Sequence, residues 1–134
     1  MRDDIWLKSR LDQIWEFLFP EVSKQNNVHI RFKGRWKNKF GHISKKGRDS
    51  EIVINGLFKH LEVPEYMVDL TIAHELVHYM HGFNSPLPQL YRHPHKGGIV
   101  TKELRKRGFS HLMVKEKYFL KDKWRNLYKQ LVSV

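Results

Sequence analysis

The sequence contains no cysteine. Disulfide bonds, cysteine zinc ligands and cysteine nucleophiles are therefore excluded, and histidine and carboxylate side chains remain as the strong metal ligands. Long apolar runs are also missing: no stretch approaches the length of a membrane span, and the charged start MRDDIWLKSR lacks the features of a signal peptide. We therefore expect a soluble, intracellular protein, in the cytoplasm, nucleoid or nucleus, with no membrane partner.

Acidic residues are few relative to basic ones. The chain has 14 Asp+Glu against 25 Lys+Arg, which gives a formal net charge of +11. This charge favours a polyanionic partner, DNA first, although a basic surface that only contacts water is an equal alternative. The length of 134 residues and the 40% hydrophobic content predict a single globular domain over 1–134.

The apolar pattern predicts an α+β fold. Apolar residues recur at helical spacing in two segments. The first lies near the N-terminus and ends before Pro20, and the second is strongly apolar and begins at Pro64. Two short β-branched runs flank a glycine-containing region that indicates a hairpin. The predicted elements are helices at 3–19, 64–80, 98–108 and about 121–132, strands at 28–32 and 51–55, and turns between 33 and 50.

The segment predicted to be the second helix contains the motif H-E-x-x-H at His74, Glu75 and His78. Residues four apart lie on one helical face, so both imidazoles can bind one cation. Zn²⁺ suits neutral imidazole and tolerates an open position for water, and Glu75 is placed to accept a proton from that water. The motif therefore predicts a zinc-dependent enzyme that hydrolyses peptide bonds, with Glu75 as the catalytic base.

A catalytic zinc site normally needs a third protein ligand. His81 lies almost two turns beyond His74, so it overshoots a metal held between the first two histidines. His93 and His95 flank a proline that favours extended backbone, so only one of them is expected to bind. Glu103, on the following predicted helix, is the remaining alternative.

The stretch EIVINGLFKHLEVPEYMVDLTIAHELVHYMHGF, followed by a loop and H-K-G-G-I-V-x-x-x-L-x-x-x-G, resembles the SprT-like zinc metalloproteases over about residues 28–110. The resemblance implies a small zincin-like domain, with a short sheet or hairpin packed on the active-site helix. It also implies His74, His78 and His95 as zinc ligands and Glu75 as the general base. Lys96 replaces the glycine usual in the family, and the cysteine-rich zinc ribbon of many relatives has no counterpart here.

Glu103 as third ligand would instead resemble the gluzincins, in the form of a minimal peptidase. The alternative for this residue is a salt bridge with Lys106 or Arg107 on its own helix.

The segment RFKGRWKNKF, residues 31–40, alternates cationic and aromatic side chains. In an extended conformation it would present a row of charges for phosphates beside aromatic rings that could stack on bases, and Lys102, Arg105 and Lys106 would add a second basic surface. A half-buried strand with lysines in water is the alternative. The predicted nucleic-acid-binding residues are Arg31, Lys33, Arg35, Trp36, Lys37 and Lys39.

These observations together predict a zinc peptidase whose substrates are proteins or peptides associated with DNA, as the resemblance also implies. Two other classes remain open. One is a non-enzymatic DNA-binding module with structural zinc, and the other is a metallopeptidase without a nucleic-acid role.

Overall fold

The computed structural model describes residues 1–133, and it combines a three-stranded sheet with helices on either side of it in sequence. This arrangement confirms the α+β prediction. None of the helices in these residues has the length and apolar character needed to cross a bilayer. The elements are α1 (Asp4–Leu18), β1 (Val28–Lys33), β2 (Gly41–Lys46), β3 (Asp49–Asn55), a 3₁₀ turn (Gly56–Lys59), α2 (Glu65–Met80), α3 (Ile99–Lys106), α4 (Ser110–Phe119), a π-helical turn (Leu120–Trp124) and α5 (Arg125–Val132).

Helix α1 begins where the sequence supplies a cap. The Asp3 carboxylate accepts a hydrogen bond from the Trp6 backbone N–H at 2.8 Å, which satisfies one of the free donors of the first turn. Leu7, Leu11 and Ile14 are buried on one face of the helix, as the apolar spacing predicts.

Strand β3 forms the centre of the sheet, in the order β1-β3-β2. It pairs in parallel with β1 and antiparallel with β2, so that Ile52 lies opposite both Ile30 and Ile43. Six of the seven residues of β3 are buried, and its segment 52–54 is a continuous apolar run rather than an alternating one, as is usual for a strand covered on both faces.

The region between the two predicted strands differs from the prediction in two respects. It contains a strand, β2, and residues 31–40 are not one extended segment, because β1 ends at Lys33. Gly34 follows with φ +88°, and a β-carbon there would lie 2.4 Å from the Trp36 ring, so the chain turns where only glycine fits. The prediction that residues 31–40 form one extended segment with a continuous row of charges is therefore wrong beyond β1.

Helix α2 is buried around most of its circumference, as its apolar sequence predicts. It packs against α1 and α3, and against β2 and β3 of the sheet. Gly82 ends it with φ +79°, and a β-carbon at this position would lie 2.3 Å from the Pro88 carbonyl oxygen, so the following loop folds back closely on the helix end. The helix that contains the histidine motif is thus the centre of the fold.

The C-terminal part is more helical than predicted. Instead of a helix from about 121, α4, the π-helical turn and α5 follow one another without a break in right-handed helical conformation. Trp124 is buried against Phe58 and Phe40, with ring centroids at 5.6 and 6.0 Å. Its Nε1 donates to the Lys37 carbonyl at 2.8 Å, which joins this helical segment to the loop between β1 and β2.

A candidate metal centre

His74 and His78 lie on one face of α2, one helical turn apart. Their Nε2 atoms are 3.1 Å from each other, and their ring centroids are 4.8 Å apart. Two nitrogen ligands of a tetrahedral zinc ion, at about 2.0–2.1 Å from the metal, are separated by roughly 3.3 Å. The helix therefore holds the two nitrogens at nearly the separation that a shared cation requires.

Both imidazoles are held in the neutral form that binds metals. Burial lowers the pKa of His74 to about 4, with His95 as a second cause. Burial, followed by the nearby histidines, lowers the pKa of His78 to about 3. The Nδ1 atom of His78 is buried without a hydrogen-bond partner among residues 1–133. At neutral pH the pair thus presents free nitrogen lone pairs, and the donors fit zinc.

The loop after α2 brings His95 to this pair. Its ring centroid lies 4.5 Å from that of His78 and 5.4 Å from that of Phe83. His93, by contrast, makes no ring contact with either histidine in the described part of the chain. His95 is exposed, so the third donor is less firmly held than the first two.

The three histidines are nevertheless not a complete ligand set as they stand. Across residues 1–133, no group of three or more histidine, aspartate or glutamate side chains is arranged to hold a metal ion. The pair on α2 fits a metal by distance and protonation state. His95 is adjacent, but on an exposed loop, so a zinc ion would have to draw this loop into place.

Glu103, the alternative third ligand, is engaged elsewhere. Its carboxylate accepts a hydrogen bond from Arg107 Nε at 3.1 Å within the same helical segment. It also lies close enough to His81 to oppose, in part, the lowering of the His81 pKa that burial causes. His81 is itself buried, and its ring packs on Tyr91, with centroids 4.8 Å apart.

Glu75 is buried beside the pair, with 4% of its surface exposed. It has no hydrogen bond or ion pair among residues 1–133, and burial raises its pKa to about 8, against a smaller opposing effect of Lys39. A cation bound next to this carboxylate would favour its charged form. The site thus contains a carboxylate that is uncompensated without a positive charge.

A pocket of about 340 Å³ opens next to the histidine pair, between α2 and α4. We call it the α2–α4 pocket. Its walls combine apolar side chains with two carboxylates and one imidazole, and its size lies in the range of ligand sites. The lining residues are Phe40, Gly41, Leu70, Thr71, His74, Glu75, Thr101, Leu104, Met113 and Glu116.

The predicted nucleic-acid-binding residues are divided between two environments. Arg31 lies on β1 and donates from Nη2 to Glu51 Oε1 at 3.3 Å, so its charge is already paired. Lys33, Lys37 and Lys39 are exposed, and the Lys39 ammonium lies 4.8 Å from the centre of the Trp36 ring. The segment from Gly34 to Phe40, which we call the basic loop, therefore has most of the free charge.

Residues of the C-terminal helix extend this basic surface. Arg35 Nη2 donates to the Leu131 carbonyl at 3.1 Å, which packs the basic loop onto α5. Exposed cations follow along this helical segment at Lys121, Arg125 and Lys129. These three residues are not among those predicted to bind nucleic acid, although their four-residue spacing places them on one face of a helix. Lys102, Arg105 and Lys106 are exposed on α3.

Comparisons with known proteins add no relative to this picture. Neither the models of known families nor the curated proteins match the sequence, and no solved structure matches the fold. The chemistry of the site therefore rests on the residues and distances given above.

Proposed function

We propose that this chain is a zinc-dependent metallopeptidase of SprT-like type that hydrolyses peptide bonds in proteins associated with DNA. The observation that carries the proposal is the meeting of two neutral histidines on α2, 3.1 Å apart, with His95 against them and the uncompensated Glu75 beside them. Buried, unpaired titratable groups gathered at a cleft are characteristic of functional sites.

In the proposed reaction the three histidines bind the metal and Glu75 transfers the proton. His74, His78 and His95 would hold the metal, which supplies a Lewis acid for the peptide carbonyl and makes water a stronger nucleophile. Glu75 accepts a proton from the attacking water as its oxygen bonds to the carbonyl carbon. The same carboxyl group then donates that proton to the amine nitrogen as the C–N bond breaks. The α2–α4 pocket receives substrate next to these groups.

The zincin-like arrangement implied by the sequence resemblance has support in how the motif helix is packed. Helix α2, which contains the histidines, lies against β2 and β3 of a short sheet. The gluzincin alternative, with Glu103 as third ligand, is less favoured, because Arg107 already pairs with that carboxylate.

The DNA part of the proposal rests on charge and position. The basic loop is joined to α5 by the hydrogen bond from Arg35 to the Leu131 carbonyl, so we infer that its lysines and the cations of α5 form one basic surface. Lys39 lies close enough to Glu75 to affect its pKa. Phosphates bound along this surface would bring proteins on DNA close to the cleft.

The test measures zinc per chain and peptide hydrolysis in the same preparations of wild type, His95→Ala, His93→Ala and Glu75→Gln. We expect wild type and His93→Ala to hold stoichiometric zinc, His95→Ala to lose it, and Glu75→Gln to keep zinc but not hydrolyse. If wild type binds no metal, the proposal is wrong. If Glu75→Gln retains every function of a zinc-loaded protein, a DNA-binding module with structural zinc replaces it.

A further inference from the structure

Glu116 is a carboxylate of the α2–α4 pocket that the proposed reaction does not use. It lies on α4, which packs against α2 and so brings this side chain to the pocket that His74 and Glu75 also line. It is half-buried, and it has neither a hydrogen bond nor an ion pair among residues 1–133. The residues that line the pocket include no lysine or arginine that could pair with Glu116.

Three of the side chains that line the pocket with Glu116 are apolar and partly or fully buried. Leu70 and Leu104 are buried, and Met113 lies partly buried against the core. Burial of this kind raises the pKa of Glu116. A carboxylate kept in such surroundings without a partner costs free energy, and a cation that enters the pocket would remove that cost.

We propose that the α2–α4 pocket binds a lysine or arginine side chain of the substrate, next to the bond that is cut, with Glu116 pairing with its cationic end. This inference rests on the proposed peptidase function and specifies its substrate. The long aliphatic stem of such a side chain matches the walls formed by Leu70, Leu104 and Met113, and its head group matches the carboxylate.

The position of the pocket connects this side chain with the reaction. Because His74 and Glu75 form part of its wall, a residue whose side chain fills the pocket would have its own peptide bond close to these groups. An apolar side chain would fill the space but leave Glu116 unpaired. An acidic side chain would be repelled by Glu116 and by Glu75.

The test begins with the zinc-loaded wild type and a mixed peptide library, with cleavage positions read by mass spectrometry. Matched peptides that differ only in Lys, Met or Glu at the position next to the cut then give kcat/KM. We expect Lys to be preferred over Met at least about tenfold, as for a charge-assisted hydrogen bond. Glu116→Gln should remove this preference, and Glu116→Lys should make Glu the preferred residue.

Asp122→Asn is the matched control, since Asp122 is an exposed acid on the same helical segment outside the α2–α4 pocket. It should keep the preference for Lys. Circular dichroism and thermal unfolding of each variant would establish that its fold is intact.

The outcomes separate this inference from the proposed function. If wild type cleaves the Lys and Met peptides equally, the role of Glu116 is wrong and the peptidase stands. If wild type cleaves nothing, the peptidase proposal is wrong. Fluorescence anisotropy of the labelled Lys peptide then tests separately whether the pocket binds a lysine side chain. Equal affinity of wild type and Glu116→Gln for that peptide would then overturn the inference, and weaker binding to Glu116→Gln would support it.

Discussion

The buried Glu51 of the sheet and the two carboxylates of the cleft have opposite surroundings. In the sheet, Glu51 lies between Lys46, whose Nζ is 3.1 Å from Oε2, and Arg31. In the cleft, Glu75 and Glu116 have no ionic partner in the described part of the chain. Although burial opposes it, pairing with Lys46 and Arg31 leaves the pKa of Glu51 lowered, whereas burial raises the pKa of both cleft carboxylates.

This difference separates structural charge from functional charge. A buried carboxylate with two cations contributes to the stability of the fold, since its charge is compensated in the native state. A buried carboxylate without a cation costs stability and is retained where a ligand supplies the missing charge. By this criterion the cleft beside α2 is where we propose that the protein binds a metal and a substrate.

The largest expected effect is on catalysis by Glu75. Replacing it with glutamine keeps the size of the side chain but removes the proton acceptor, so kcat should fall by about 10²- to 10⁴-fold. Zinc content should remain stoichiometric, because glutamine removes no proposed ligand. Peptide hydrolysis and metal analysis of the same sample measure both. Glu51→Gln, as the control from the sheet, should leave kcat unchanged, and a comparable loss of kcat there would break the comparison.

The next effect concerns the third ligand. His95→Ala should weaken zinc binding at least about tenfold to a hundredfold, since it leaves only the pair on α2. Competition with a zinc chelator measures this affinity. His95 is exposed, so the thermal unfolding of the metal-free protein should hardly change. His93→Ala is the matched control, and equal losses of zinc in both variants would contradict the choice of His95.

A smaller effect is expected on stability from the paired carboxylate. Glu51→Gln removes the charge that pairs with Arg31 and Lys46, so it should lower the free energy of unfolding at neutral pH by about 1–2 kcal/mol. The effect is no larger because both cations are partly exposed and remain solvated. The pKa of Glu51 in the folded protein lies below the ordinary value of a glutamate, so this stabilisation is fully present above that ordinary value. It is lost as the pH falls through the folded value.

Urea unfolding of wild type and Glu51→Gln at neutral pH and in acid measures this difference. The gap between the two proteins should shrink in acid. A gap that stays constant with pH would mean that the charge of Glu51 does not stabilise the sheet.

The elements that the sequence predicted well are those whose local signals agree. Helix α1 has an acidic cap and regular apolar spacing, and α2 has a proline start and a glycine end, so both lie within a residue or two of the prediction. Strand β2 was missed because GHISKK has one apolar side chain, Ile43, and its pairing with β3 determines its conformation.

The site follows the same division. Helical spacing alone indicates that His74 and His78 share a face, which depends only on local geometry. The position of His95 depends on how the loop folds back, and no local pattern specifies that. Glu116 was not predicted at all, because α4 was missed and its place in the cleft comes from packing between helices. His95 was therefore predicted only through the resemblance to a family, and Glu116 required the structure.

The smallest expected effect concerns DNA binding, where a paired cation can be compared with an unpaired one. Arg31 is paired with Glu51, whereas Lys37 is exposed on the basic loop with no ion pair in the described residues. If DNA binds this surface, Lys37→Ala should lower the slope of log affinity against log salt by about one phosphate contact, and Arg31→Ala should lower it less. Fluorescence anisotropy with a duplex oligonucleotide at several salt concentrations measures both slopes. An equal change in the two variants would show that pairing with Glu51 does not withhold Arg31 from DNA, and no binding to wild type at low salt would remove DNA from the proposed function while leaving the zinc chemistry in place.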